Sequence, residues 1–241
     1  MAGTFAGFGP GTFTFLADLA ANNDRDWFRD HADAYEREVR APSIAFVTDL
    51  GNELADRGLP LRANPKHSLF RIHRDVRFSH DKRPYKISAG AVSSRDGTRT
   101  SPGVVYVHIQ PGNCFLAAGF YNLEPALVAA FREAIVDNPE AWRGVVTELA
   151  GHGLTLSREH RLIRLPRGYD AKEACLDADV ADAIRLKSFT VDRSLDTDAL
   201  STARFVATVA DFAILAMPLL EFGWRALEGH EATPDRPGRR R

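Results

Sequence analysis

Residues 68–89 read Ser68-Leu69-Phe70-Arg71-Ile72-His73-Arg74-Asp75-Val76-Arg77-Phe78-Ser79-His80-Asp81-Lys82-Arg83-Pro84-Tyr85-Lys86-Ile87-Ser88-Ala89. Phe70, Ile72, Val76 and Phe78, with Arg74 as the odd member, alternate with Arg71, His73, Asp75 and Arg77. A period of two puts successive side chains on opposite faces, so the spacing predicts a strand. Residues 79–84 predict a turn closed by Pro84, and residues 85–93 a second strand. The stretch reads as a basic strand-turn-strand on which the other elements pack.

Downstream, residues 104–110 and 114–121 predict two more strands, separated by the hairpin loop Pro111-Gly112-Asn113. The links are too short for parallel crossovers, so the strands form an antiparallel meander. Upstream, apolar spacing predicts a helix over 11–21 stopped by Asn22 and Asn23. A second helix follows a cap at Asn23 or Asp24 and carries Trp27, Phe28, His31 and Tyr35 on one stripe that docks it. Pro42 predicts the first residue of a third helix, closed by Gly58. Beyond the meander, Pro125 and Pro139 open two helices, residues 154–169 predict short strands, 172–186 a short helix, and 188–191 a strand. A long helix covers 198–217, which Pro218 kinks or ends. The fold class is α+β: an antiparallel sheet of at least four strands against N-terminal and C-terminal helices. The expectation is one domain over 1–229 and a disordered basic tail over 230–241.

The chain has 241 residues and a formal net charge of -1, so attraction for nucleic acid must come from a local patch. The two cysteines, Cys114 and Cys175, have no metal or redox spacing and read as reduced thiols in a cytoplasmic protein. The most apolar window, 205–220, is shorter than the roughly 20 residues that span a bilayer and is broken by Asp211, so it reads as a core helix and no membrane association is expected. Gly7, Gly9 and Gly11 precede no phosphate-loop ending and read as a flexible leading segment.

The run from Arg74 to Lys86, Arg-Asp-Val-Arg-Phe-Ser-His-Asp-Lys-Arg-Pro-Tyr-Lys, resembles the signature of a family of conserved hypothetical proteins of bacteria and fungi, a domain of unknown function. Phe8 with residues 13–16, the run from Asn22 to Phe28, Leu165-Pro166-Arg167-Gly168-Tyr169 and Leu186-Lys187-Ser188-Phe189 resemble its other landmarks. The resemblance covers roughly residues 5–227 and implies no activity or catalytic residue.

The residues themselves point to an anion site. Arg71, Arg74, Arg77, Lys82, Arg83, Tyr85 and Lys86 are the candidate ligand-binding residues, because the Arg fork matches phosphate and carboxylate oxygens. Arg74, on the apolar side, requires an internal carboxylate or a bound anion. The alternative is a metal-independent enzyme acting on a phosphoester or related anion, with His73 or His108 as acid or base and Asp75 and Tyr106 beside them. A third is a protein-interaction module. No metal or cofactor motif is present. The expected partner is an anionic small molecule or nucleic acid. Sequence alone does not place Arg167, Tyr169 and Lys187 near the basic stretch or set the oligomeric state.

Overall fold

The computed structural model describes residues 4–77, 79–169 and 175–230. Phe78, the start of the expected helix over 172–186, and all of the expected tail but His230 lie outside them. Among the described residues the sheet has four antiparallel strands in the order β1-β2-β3-β4. They are β1 Ala89–Ser94, β2 Val104–Ile109, β3 Cys114–Phe120 and β4 Phe189–Leu195. β1 and β2 pair in register from Ala89 opposite Ile109 to Ser94 opposite Val104. The meander and the α+β class are as the sequence reading has them, but the fourth strand is β4, far along the chain.

The chain divides into two compact units, residues 1–118 with 192–215, and residues 119–191 with 216–241. In the first, α1 Pro10–Ala21 starts with a proline at its N-terminus and ends at Asn22. α2 Arg25–Asp30 is capped by Asp24, whose carboxylate accepts from the Trp27 N–H at 2.9 Å. The Asn23 side chain then meets the backbone of Tyr85 from both sides. Its amide donates to the Tyr85 carbonyl at 3.1 Å, and its oxygen accepts from the Tyr85 N–H at 3.0 Å. Tyr85 is buried and its ring stacks on Phe28 at 4.1 Å. Phe15, Leu16, Leu19, Val39, Ile72 and Tyr85 form the core beneath, with Trp27, Phe28 and Tyr35 against it.

α3 Ala32–Tyr35 runs through a π-helical segment, Glu36–Arg40, into α4 Ala41–Asp56 without leaving helical backbone angles. Pro42 therefore lies inside a longer helix and does not start a new one. The widened turn has a local cause: proline has no N–H for the carbonyl four residues back and its ring crowds that carbonyl. That carbonyl belongs to Glu38, and the buried hydroxyl of Thr12 donates to it at 2.5 Å. Ser43 Oγ donates to the next carbonyl, Val39, at 2.7 Å.

The leading glycine segment is packed, against the expectation of flexibility. Phe5 and Phe8 are 2% and 1% exposed. The Phe8 N–H donates to the Leu200 carbonyl at 2.9 Å, and Gly7, at φ +120, leaves no room for a Cβ against Ser201.

The second unit contains α6 Pro125–Asp137, α7 Pro139–Gly151 and α8 Ala178–Ala183. Its core is aromatic: Phe131 stacks on Phe189 at 3.9 Å and meets Phe120, Trp142 and Phe222. α9 Phe205–Ala226 contributes to both units and continues through Pro218. The carbonyl four residues before this proline, that of Ile214, has no helical donor from Pro218. By length and composition α9 could cross a membrane, and 56% of its most apolar window is buried within the protein.

Two substitutions test these units. Asn23→Ala leaves the buried Tyr85 N–H and carbonyl without partners and should cost about 2–5 kcal/mol in urea denaturation. Gly119, at φ +124, would place a Cβ 2.1 Å from the Phe189 carbonyl oxygen. Gly119→Ala combines a strained backbone with a backbone clash and should cost about 2–6 kcal/mol, read in the same experiment.

Candidate functional site

Residues 69–77 and 79–88, expected as a strand, turn and strand, form an irregular antiparallel excursion. Two isolated bridges hold it, Leu69 opposite Ala91 and His73 opposite Tyr85. Three residues lie between the bridges on one side and five, 86–90, on the other. The two surplus residues break the ladder and make a bulge, a feature that re-aims side chains beside sites. Backbone hydrogen bonds from Phe70 to Gly90, Lys86 to Ile72 and Arg74 to Pro84, at 2.8–3.0 Å, fix the remainder. Upstream, the short α5 Pro65–Ser68 is capped by Asn64.

The bulge, α5 and the π-helical segment line a half-open cavity of about 640 Å³. Tyr35, Glu36, Val39 and Arg40 line one wall with Ser43 and Ile44 from α4. Pro65, Lys66 and residues 69–73 line the opposite wall, and Ser88, Ala89, Gly90 and Arg99 close it. Val39 and Ile72 give it a buried apolar floor.

Its charge is one-sided. Glu36, the sole carboxylate lining it among the described residues, is paired with Arg40 at 2.9 Å. Among the described residues, the Lys66 and Arg71 side chains have no hydrogen-bond or ion-pair partner. Arg99 donates to the Leu69 carbonyl. Phe70, 38% exposed, carries the Lys86 amine 5.1 Å from its ring centre and the Arg99 guanidinium at 6.0 Å. Burial pushes the Lys86 amine down, and the neighbouring Arg99 charge pushes it further. Two like charges thus share one ring, an arrangement that an anion would relieve.

The other residues of the basic stretch mostly satisfy each other. Arg74 donates to Asp81 at 2.6 Å, so the partner its position requires is an internal carboxylate. Arg83 grips the same Asp81 at 2.8 Å, and Arg77 grips Asp75 at 2.6 Å. Lys82 donates to the Val76 carbonyl at 3.0 Å. Of the seven expected ligand residues, Arg71 alone lines the cavity, Lys86 stands over Phe70 at its edge, and Tyr85 lies in the core below.

The candidate acid–base residues are not assembled. His73 lines the cavity, packed on Tyr85, while Asp75 is held by Arg77 near pKa 2. Tyr106 and His108 sit together on β2, with Tyr106 Oη 2.8 Å from His108 Nδ1 and His108 Nε2 3.2 Å from Gln110 Oε1. The amide oxygen only accepts, so Nε2 carries the proton and Nδ1 accepts from the tyrosine. Burial lowers the His108 pKa and pushes the Tyr106 hydroxyl up to about 12. Both groups are therefore neutral and mutually satisfied near pH 7. Gly90 makes room for them: a Cβ there would lie 2.9 Å from the Tyr106 hydroxyl.

The profile of a conserved hypothetical family, DUF2461, matches residues 11–222. The chain belongs to this family. No curated protein and no solved structure matches it. In this DUF2461 chain the sequence reading counted Lys66 with the basic stretch but missed Arg40, Ser43 and Arg99 as cavity residues. Pro42 inside a helical pattern was the available signal for the wall carrying the first two. Arg167, Tyr169 and Lys187 belong to the second unit, whereas the basic stretch belongs to the first.

The Asp81 clamp has a measurable consequence. Arg83 first, then Arg74, hold its carboxyl well below the usual range. The depressed value means its stabilisation is present above pH 4 and is lost as pH falls further. Asp81→Asn removes it at neutral pH. Trypsin should then cut after Arg74, Arg77 or Lys82 several-fold faster than in wild type. Asp75→Asn, which loses only an exposed local pair, should change the rate little.

Proposed function

We propose that the protein binds a small molecule with a phosphate or carboxylate head and an apolar body in the cavity between the π-helical segment and residues 65–73. One observation carries this reading: Lys66 and Arg71, without a side-chain partner among the described residues, stand over an apolar floor, beside Lys86 and Arg99. The volume, about 640 Å³, lies within the roughly 300–1,000 Å³ of small-molecule sites. Arg71 supplies the fork for two anion oxygens and Lys66 a point charge. Phe70, Tyr35 and Ile72 face the body of the ligand. The reading is of a binding protein rather than an enzyme, because among the described residues no carboxylate pairs with His73, Asp75 is engaged by Arg77, and His108 is engaged by Tyr106 and Gln110. It places the protein in the cytoplasm, which the free thiols Cys114 and Cys175 support.

The test is thermal shift at low salt with inorganic phosphate, nucleotides, and aliphatic and aromatic carboxylates. At a ligand concentration about 100 times Kd the stabilisation is about 2.7 kcal/mol, or roughly 5–10 °C for a chain of this size. Arg71→Glu should weaken binding about 10- to 150-fold, and Arg77→Ala should leave it unchanged. No shift with any ligand, or equal shifts in Arg71→Glu, would refute the reading. Lys86 gives a second readout. Its depressed amine makes the charge a cost to the fold, so stability of the free protein rises as pH climbs from the depressed value towards 10.5. Lys86→Met should raise the Tm of the free protein at pH 7, abolish that alkaline rise and weaken ligand binding.

A further inference from the structure

We propose that the second unit carries a surface for single-stranded nucleic acid, centred on Tyr121, His160, Arg164, Arg167 and Lys187. The backbone pairs the segment just before the 165–169 landmark with the 186–189 landmark here. The Leu162 N–H donates to the Arg185 carbonyl at 2.7 Å and the Lys187 N–H to the His160 carbonyl at 2.8 Å. The ring of Tyr121 stands edge-on to His160 at 6.0 Å. Lys187 therefore adjoins residues 160–162, with Tyr121 at the margin. The segment that follows returns to the same region, since Tyr169 lies within electrostatic reach of Arg132, whose guanidinium donates to the Leu186 carbonyl.

The cations of this surface, Arg158, Arg161, Arg164, Arg167 and Lys187, outnumber the carboxylates of Asp182 and Glu159, while Glu133 and Asp137 lie by Tyr169 at its edge. Arg158 and Arg161 share one carboxylate, Asp182, at 2.8 and 2.9 Å. Among the described residues, Arg164, Arg167 and Lys187 are exposed and have no side-chain partner. In a chain of net charge -1 this is a local concentration of the kind that phosphates neutralise.

The exposed rings and apolar groups select the form of the polyanion. Tyr121 is 66% exposed and Ile163 is 96% exposed. A duplex buries its bases, whereas a single strand offers unstacked bases to such groups. The display of Tyr121 is built into the backbone. The next residue, Asn122, has φ +49, a left-handed conformation that a non-glycine residue holds at a cost. Its N–H donates to Ser188 Oγ at 3.2 Å. Arg132 donates to the Leu186 carbonyl at 2.8 Å, which fixes the backbone next to Lys187. Ser188 and Arg132 are thus positioning residues, behind the groups that would touch the ligand.

The experiment is fluorescence anisotropy of the full chain with labelled oligo-dT and oligo-U of about 15 nucleotides. Saturable binding is expected at about 50 mM salt, with log K falling against log salt at a slope of about -2, from three cations on a single strand. The variant Arg164→Ser/Arg167→Ser/Lys187→Ser should lose at least about tenfold in affinity and most of the slope. Tyr121→Ala should weaken oligonucleotide binding about 5- to 150-fold and leave heparin binding unchanged. Arg71→Glu should bind the oligonucleotide as wild type does, which separates this surface from the small-ligand cavity. No binding at low salt overturns the proposal, as does a preference for duplex. So does oligonucleotide binding indifferent to Tyr121, or acidic polypeptide bound as tightly as the oligonucleotide. Loss of binding when Arg236, Arg239, Arg240 and Arg241 are all changed to Ser, with the triple variant still binding, also overturns it.

Discussion

The clamp of Asn23 on the backbone of Tyr85 is the constraint on which the first unit depends. An asparagine amide carries one donor face and one acceptor face, as a peptide group does. Here it takes the place of a strand partner for a residue that has one neighbour in an irregular ladder. The helix turn after Asn22 supplies the amide, and the Asp24 cap fixes the direction in which α2 leaves it. With Tyr85 anchored, its ring stacks on Phe28 and the 69–88 excursion is tied to the helical core. The two sequence landmarks, around Asn23 and around Tyr85, are thus two sides of one contact.

Charge follows a different logic on either side of this anchor. Beyond it, Asp75 and Asp81 neutralise the arginines nearest to them and hold the tip of the excursion closed. Before it, Lys66 and Arg71 have no such partner among the described residues, and the Arg99 charge adds to the cost of the Lys86 amine over Phe70. Carboxylates two residues from an arginine bring about local closure at little entropic expense. Cations gathered from separate elements hold a field that the fold itself does not discharge.

The α+β class, the meander and most helix starts were legible in the sequence because each has a local signal. Pro125 and Pro139 begin their helices, and Asn22 ends α1. The period-two run at 70–78 was legible as extended backbone but misleading as a strand, because pairing depends on the length of the partner segment, and that segment carries two surplus residues. Asp75 with Arg77 is a neighbour pair that sequence suggests. Asp81 with Arg74 needs the turn geometry. The cavity residues Arg40 and Arg99 lie about 60 positions apart, so no window of sequence joins them. The fourth strand, Phe189–Leu195, was read as a short strand, but its place beside β3 was not, since no short connection marks it.

The proline in the long helix has one more effect. The helix lines the cavity through Tyr35 and Glu36, Val39 and Arg40, then Ser43 and Ile44, three pairs spaced by four. In a regular α-helix a repeat of four overshoots a full revolution by about 40° each time, so such pairs spiral away from a common line. A π turn takes more residues per revolution and sets that rotation back. The three pairs therefore stay in phase and form a straight wall along the cavity. Pro42 frees the Glu38 carbonyl and the Thr12 and Ser43 hydroxyls hold it and its neighbour, so the wider turn, and with it this wall, belongs to the fold itself.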